Sequence, residues 1–295
     1  MFYYLLYGKV FLSDIKLLNI PQISFPFDTA DATIHQGSTA CTISDEVNFF
    51  MSEKSSFVRF KYGALKIINK NEIIYSVREN YSPECVTPFI LGWGMALILT
   101  QMGYSAFHCS ALCHNNLGFL VSGASGAGKS TTALELIKNG CKYLTDDIAI
   151  VNSYEDMMIP PAFPIQKVCP DVSLNLDEQK IFAINNDRGK YSYLNLENYC
   201  DHPVKLSVIF QLQLEETDKV EIKEVIGIDR YLRVLECLFL GVRYSMSRFP
   251  EQDKFNSLKI AGNIKLYTIT RPIGKNTLDE ITTSILKILN EQGAN

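Results

Sequence analysis

The chain has 295 residues, with 28 Lys and Arg against 32 Asp and Glu, a formal charge of −4 and a sequence pI near 5.7. That balance leaves no basic footprint of the kind nucleic-acid binding needs. Apolar residues make up 47% and charged residues 20%, which excludes a disordered chain, and the length suits about two domains.

In chain order, Met1–Tyr7 is apolar but short and ends at Lys9, so it reads as a first strand rather than a secretory signal. The eight cysteines then read as reduced thiols of a cytoplasmic protein. Cys109 and Cys113 have CxxxC spacing, but no second pair follows to complete a structural zinc site. Phe57–Tyr62 alternates, and Ala64–Ile68 and Ile73–Val77 are strand-like around a turn at Asn69–Lys70–Asn71. Pro88–Met102 is an apolar stretch of 15 residues that contains Gly92, Gly94 and Gln101. A membrane span needs about 20 apolar residues, so Phe89–Met102 is expected as a buried core helix stopped by Gly103. A β-rich N-terminal region is thus expected over 1–103, and a second domain over 104–295.

Past Gly103 the rhythm changes. Leu117–Ser122 is a short apolar run that leads into a glycine-rich loop. Ser130–Asn139 carries a helical apolar stripe and Gly140 closes it. Lys142–Thr145 and Ile148–Val151 are strand-like and flank Asp146–Asp147. Residues 152–203 are rich in Pro and Asn and carry no clear period. Leu206–Leu214 and Ile264–Ile269 are expected as strands, and Arg230–Leu240 and Leu278–Leu289 as helices.

The loop Gly123-Ala124-Ser125-Gly126-Ala127-Gly128-Lys129-Ser130 satisfies every fixed position of G-x-x-x-x-G-K-[ST], with Thr131 next on the helix. Glycines let successive backbone N–H groups turn inward at phosphate oxygens. The helix that starts there adds its partial positive charge. Lys129 would reach the β- and γ-phosphates of ATP, and the Ser130 hydroxyl would ligate Mg2+. Asp146 and Asp147 follow Lys129 by 17 and 18 residues. A helix and a short strand would return them beside the loop, one as a magnesium ligand and the other as a proton acceptor. His108 lies 15 residues before Gly123. By spacing alone it reads more readily as a structural histidine than a catalytic one.

The run from His108 through Gly118–Ile137 and Gly140 to Asp146-Asp147 resembles the C-terminal catalytic domain of HPr kinase/phosphorylase, over about 40 residues. The resemblance implies an α/β fold, a phosphoenolpyruvate-carboxykinase-type P-loop kinase core with a mixed sheet, rather than a doubly wound nucleotidase. It implies ATP- and magnesium-dependent transfer of a γ-phosphoryl group to a serine hydroxyl, and a homo-oligomer. Residue by residue, His108 matches the histidine near the phosphates, Lys129 the P-loop lysine, Ser130 the magnesium ligand, Asp147 the proton acceptor and Asp146 its neighbour. The opening Tyr7-Gly8 and Ser13-Asp14-Ile15, the stretch Phe107–Ala111 and the pair Arg271-Pro272 are similar to shorter HPr-kinase-like proteins linked to peptide modification, including lasso-peptide kinases.

The chain departs from the family downstream. Where HPr kinases carry an acidic-Ile-Arg-Gly segment that supplies a further magnesium ligand, this chain has Pro160–Lys167. The resemblance therefore does not carry HPr itself as substrate, or phosphorylase activity, to this chain. Lys167, Arg188 and Arg271 are the basic candidates for neutralising transition-state charge. The expected partner is a peptide or small protein that offers a hydroxyl, with neither nucleic acid nor membrane involved. The alternative is an ATP-binding regulator or adaptor that moves no phosphate, against which an intact Asp147 argues. A GTPase is disfavoured because the one near match to N-K-x-D, Asn69–Glu72, precedes the loop. A transporter ATPase is disfavoured because no Leu-Ser-Gly-Gly signature occurs.

Overall fold

The computed structural model describes residues 1–24, 29–39, 48–52, 54–154, 156–168, 181–183, 191–241 and 250–293. Two compact units divide them: Met1–Tyr104 with Ala162–Leu194, and Ser105–Pro161 with Asn195–Asn295. The sequence placed all of 104–295 in one domain. The structure instead assigns Ala162–Leu194 to the unit that contains the N-terminus. The chain leaves the second unit through Pro160 and Pro161, neither of which can donate to a sheet ladder.

In the first unit, seven strands pair in the spatial order Phe2–Leu6, Lys9–Ser13, Ala32–Gln36, Glu72–Val77, Gly63–Ile68, Ser55–Phe60, Phe49–Met51. Asn69 and Lys70 take φ values of 56° and 63°, the left-handed pair that closes a tight hairpin without splaying its strands. Helical structure runs from Pro83 to Gln101, with a π-helical segment at Ile90–Gly94. Among the described residues it is the one helix long and apolar enough to cross a membrane. Within its unit, however, Met95–Leu99 is buried and Gly94 packs on Leu65 and Ile73. Gly103 ends it at φ 100°, its N–H bonded to Thr100 O and that of Tyr104 to Leu99 O. A small sheet of Ile165–Val168, Tyr191–Leu194 and Ile181–Ala183 completes the unit.

The second unit is a mixed α/β fold around one sheet. Its strands lie in the order Lys142–Thr145, Ser105–His114, Leu117–Gly123, Val204–Glu215, Lys265–Pro272, Glu221–Val225. Leu117–Gly123 is antiparallel to Ser105–His114 and parallel to Val204–Glu215. Asn115 and Asn116, at φ 49° and 63°, turn the chain between the first pair. Both faces of the sheet are covered. On one, Leu120, Leu206 and Ile209 pack with Val234, Leu235 and Ile260 of helices Gly227–Cys237 and Glu251–Asn263. On the other, Phe119, Val121 and Phe210 pack with Leu136, Ile281 and Ile285 of helices Lys129–Lys138 and Leu278–Gly293. Burying these aliphatic and aromatic side chains contributes roughly 1.5–3 kcal/mol each, which fixes the sheet whose interior strand Leu117–Gly123 leads into the glycine-rich loop.

Candidate active site

The glycine-rich loop joins the end of strand Leu117–Gly123 to helix Lys129–Lys138. Gly123 closes the ladder opposite Leu212 at φ 146°, and a Cβ there would lie 2.5 Å from Leu212 O. Gly128, at φ 99°, caps the helix, whose first turn presents backbone N–H groups without intrahelical partners. The Lys129 ammonium donates to the carbonyls of Gly123 and Ala124 at 2.9 and 3.2 Å, so the lysine curls over the loop it follows. Ala124, Ser125 and Gly126 are exposed, Ala127 is buried, Ser130 is half-buried and Thr131 is exposed.

The acidic pair lies one strand further from the loop than the chain order suggests. Lys142–Thr145 and Ile148–Val151 both pair with Ser105–His114, not with Leu117–Gly123. They form two collinear halves of one edge, and Asp146–Asp147 interrupts the ladder between them. Both strand-like segments that the sequence set on either side of the pair are strands; what the sequence did not show is that they are halves of one interrupted edge. Thr145 Oγ1 donates to Ile148 O at 2.7 Å across the interruption. Asp147 takes φ 84°, a conformation that costs an L-residue roughly 1–3 kcal/mol.

The intervening strand supplies the connection. Ser110 Oγ donates to Asp146 Oδ1 at 2.7 Å, where the carboxylate is 7% exposed. Two residues earlier, His108 Nδ1 lies 3.1 Å from Asp147 O and 3.6 Å from Asp147 Oδ1. Ser122, on strand Leu117–Gly123, donates through Oγ to His108 O at 3.2 Å. His108 therefore stands between the strand that ends in the loop and the acidic pair. Beside the loop is a cleft of about 420 Å³, to which His108, Gly123 and Ala124 contribute together with Gln211, Glu215 and Glu236. Burial pushes the thiol of Cys237, also in its wall, up to about 12, so it stays protonated and is no nucleophile near neutral pH.

Of the three basic candidates, Arg271 reaches the loop. Its Nη1 is 3.4 Å from Ala127 O and its Nη2 is 3.4 Å from Lys275 O. Lys167 belongs to the other unit, and Arg188 lies outside the described residues. Gln211, Glu215 and Glu236 were missed in the sequence. Gln211 sits in a strand whose other central residues are apolar, the one signal that marked it.

The donor set fits magnesium. This ion keeps several waters and takes one or two carboxylates together with substrate phosphate oxygens, so one serine hydroxyl and one oriented carboxylate suffice. Among the described residues no group of three or more His, Cys, Asp or Glu gathers as a metal cluster.

No family model matches the chain. It is 26% identical over 173 residues to the HPr kinase/phosphorylase of Caldanaerobacter subterraneus subsp. tengcongensis, an alignment covering 58% of this chain and 51% of the relative. To the HPr kinase/phosphorylase of Thermoanaerobacter sp. it is 25% identical over 172 residues, with the same coverage of 58% and 51%. A shorter stretch of 43 residues, 15% of this chain and 14% of the relative, is 46% identical to the HPr kinase/phosphorylase of Clostridium acetobutylicum. The chain spans about half the length of the first two relatives. Among solved structures, the HPr(Ser) kinase/phosphatase from Coxiella burnetii aligns at a TM-score of 0.34 and 14% identity, covering 63% of this chain and 97% of that one.

Proposed function

We propose that this HPr-kinase-like chain is an ATP- and magnesium-dependent kinase that transfers a γ-phosphoryl group to a serine or threonine hydroxyl of a peptide or small protein. One observation carries the reading: a single strand, Ser105–His114, ties the P-loop strand to both carboxylates, through His108 to Asp147 and through Ser110 to Asp146. The mixed order of strands around the loop supports a phosphoenolpyruvate-carboxykinase-type core. A cytoplasmic location, a homo-oligomeric assembly and a place in peptide modification belong to the same proposal.

In this reading the backbone of Gly123–Thr131 cradles the phosphates and Lys129 places its charge on the β- and γ-groups. Ser130 and Asp146 would hold magnesium, which would supply positive charge to offset that of the transferred group. Asp147 takes the proton of the acceptor hydroxyl, held by its left-handed backbone and by His108. The acceptor oxygen bonds to the γ-phosphorus while the bond to the β–γ bridging oxygen breaks, and ADP leaves. Arg271, on the flank of the loop, adds positive charge to a site that must hold a polyanion.

The test separates binding from transfer. Asp147→Asn keeps the shape and removes the proton acceptor. ATP–magnesium affinity, measured by calorimetry, should stay near parental, while transfer to a serine peptide should fall roughly 10²–10⁴-fold. Transfer at the parental rate would remove Asp147 from the chemistry. Failure of the parent protein to bind ATP–magnesium would overturn the reading as a whole.

A further inference from the structure

The cleft beside the loop has a chemical character that the P-loop does not explain. Gln211 is 7% exposed and lines it. The orientation of its amide is fixed, because Nε2 lies 3.2 Å from Glu236 Oε2 and a carboxylate only accepts. The other end, Oε1, is buried without a hydrogen-bond partner. A buried carbonyl left unpaired costs roughly 1–3 kcal/mol, a penalty that a ligand N–H would relieve.

The surroundings agree on the sign of that ligand. Glu236 and Glu215 both line the cleft, and none of its described lining residues is Lys or Arg. Arg233 Nη1 meets Glu236 Oε2 at 2.9 Å, but Arg233 does not line the cleft. Leu214, Leu238 and Phe239 supply an apolar wall, against which the methylene stem of a long basic side chain can lie. The Phe239 ring stands edge-on to His108 at 6.3 Å between centroids, so the wall adjoins the residue that contacts Asp147.

Resting on the kinase reading above, we propose that this cleft receives the cationic side chain of a basic residue close to the acceptor hydroxyl, its N–H groups shared between Gln211 Oε1 and the Glu236 carboxylate. The acceptor is then a serine or threonine in a basic sequence context. The cleft volume of about 420 Å³ is near the lower end of ligand sites and matches one long side chain with its neighbour.

The experiment uses the full chain and alanine-based peptides. Each carries one serine and either arginine or citrulline, its neutral isostere, one to three residues away. Transfer from labelled ATP and peptide binding by calorimetry are measured separately. Arginine should raise kcat/KM and affinity at least about tenfold over citrulline at one spacing or more, the size of one charge-assisted hydrogen bond. Glu236→Gln, and independently Gln211→Leu, should shrink that ratio to about threefold or less while leaving ATP–magnesium affinity unchanged. Equal use of arginine and citrulline peptides would overturn the proposal. So would a Glu236→Gln protein that loses ATP affinity as much as peptide affinity, because the cleft would then serve the nucleotide. Preferential phosphorylation of ethanolamine would reject the basic side chain in favour of a small amine. Arginine-dependent binding with no transfer would keep the cation site and reject the kinase reading; absence of both would reject the site.

Discussion

The Arg271 guanidinium lies against the backbone of the glycine-rich loop, Nη1 at 3.4 Å from Ala127 O, and a Cβ built on Gly128 would come within 2.7 Å of the same nitrogen. Its Nε is buried without a hydrogen-bond partner. Removing the charge with Arg271→Met keeps the packing volume. ATP–magnesium affinity or transfer should fall by about 10–100-fold, the range of one charged hydrogen bond. Arg271→Lys should recover part of that loss, because a point charge cannot replace the fork. Parental kinetics in Arg271→Met would show that the arginine only packs.

Lys129 bonds to two carbonyls of its own loop, so Lys129→Ala removes both an internal tie and the charge offered to phosphate. The backbone cradle remains. Calorimetry should show ATP affinity reduced at least about tenfold, with the far-ultraviolet dichroism of the parent. Unchanged affinity would dissociate the loop from nucleotide binding.

Ser110 holds Asp146 by one short hydrogen bond. Ser110→Ala leaves the carboxylate present and removes this one bond. The magnesium concentration for half-maximal activity should rise several-fold, while saturating magnesium restores most of the rate. Asp146→Asn should raise the same requirement further, and no amount of magnesium should restore it fully. A magnesium titration of Ser110→Ala that overlays the parental curve would free Asp146 of any metal role.

Asp253 offers a test of stability rather than function. It lies in the first turn of helix Glu251–Asn263, 7% exposed, and burial lifts its carboxyl from 3.8 to about 6. Below pH 4 the folded and unfolded chains both hold the proton, so burial carries no ionic cost. As pH rises through 6 the folded chain must ionise a buried acid, and stability is lost. The difference of roughly two pH units corresponds to about 3 kcal/mol. Asp253→Asn should therefore raise the stability to urea by up to about 3 kcal/mol at pH 7.5, with the gain vanishing near pH 4. A gain independent of pH would point to packing instead.

The loop was legible in the sequence because its demands are local: glycines where φ is positive, a lysine and a serine at the first turn of a helix. Strand Ser105–His114, on which the site depends, was not. It reads Ser-Ala-Phe-His-Cys-Ser-Ala-Leu-Cys-His and is buried on both faces, so it has no polar–apolar alternation, and Ala and Ser are weak strand formers. The Asn115-Asn116 turn after it was the available clue. Helix Glu251–Asn263 escaped for the opposite reason. It buries Asp253, Asn256 and Ser257 and exposes Phe255 and Leu258, which inverts the expected stripe. Arg271 was named as a candidate, but which of three cations meets the loop depends on a strand partner far back in the chain, Leu214 opposite Arg271, and no local pattern encodes such a pairing. The cleft carboxylates Glu215 and Glu236 come from a strand end and a helix end that only the folded sheet brings together.

The most direct measurement is transfer from ATP labelled at the γ-phosphate to a serine peptide, followed by mass spectrometry of the product. The parent protein with magnesium should yield phosphoserine and ADP in equal amounts, and Asp147→Asn should yield roughly 10²–10⁴-fold less at the same bound nucleotide. ATP bound tightly in the presence of magnesium, with no phosphate found on any serine or threonine peptide or protein offered, would contradict the account and leave a nucleotide-binding regulator in its place.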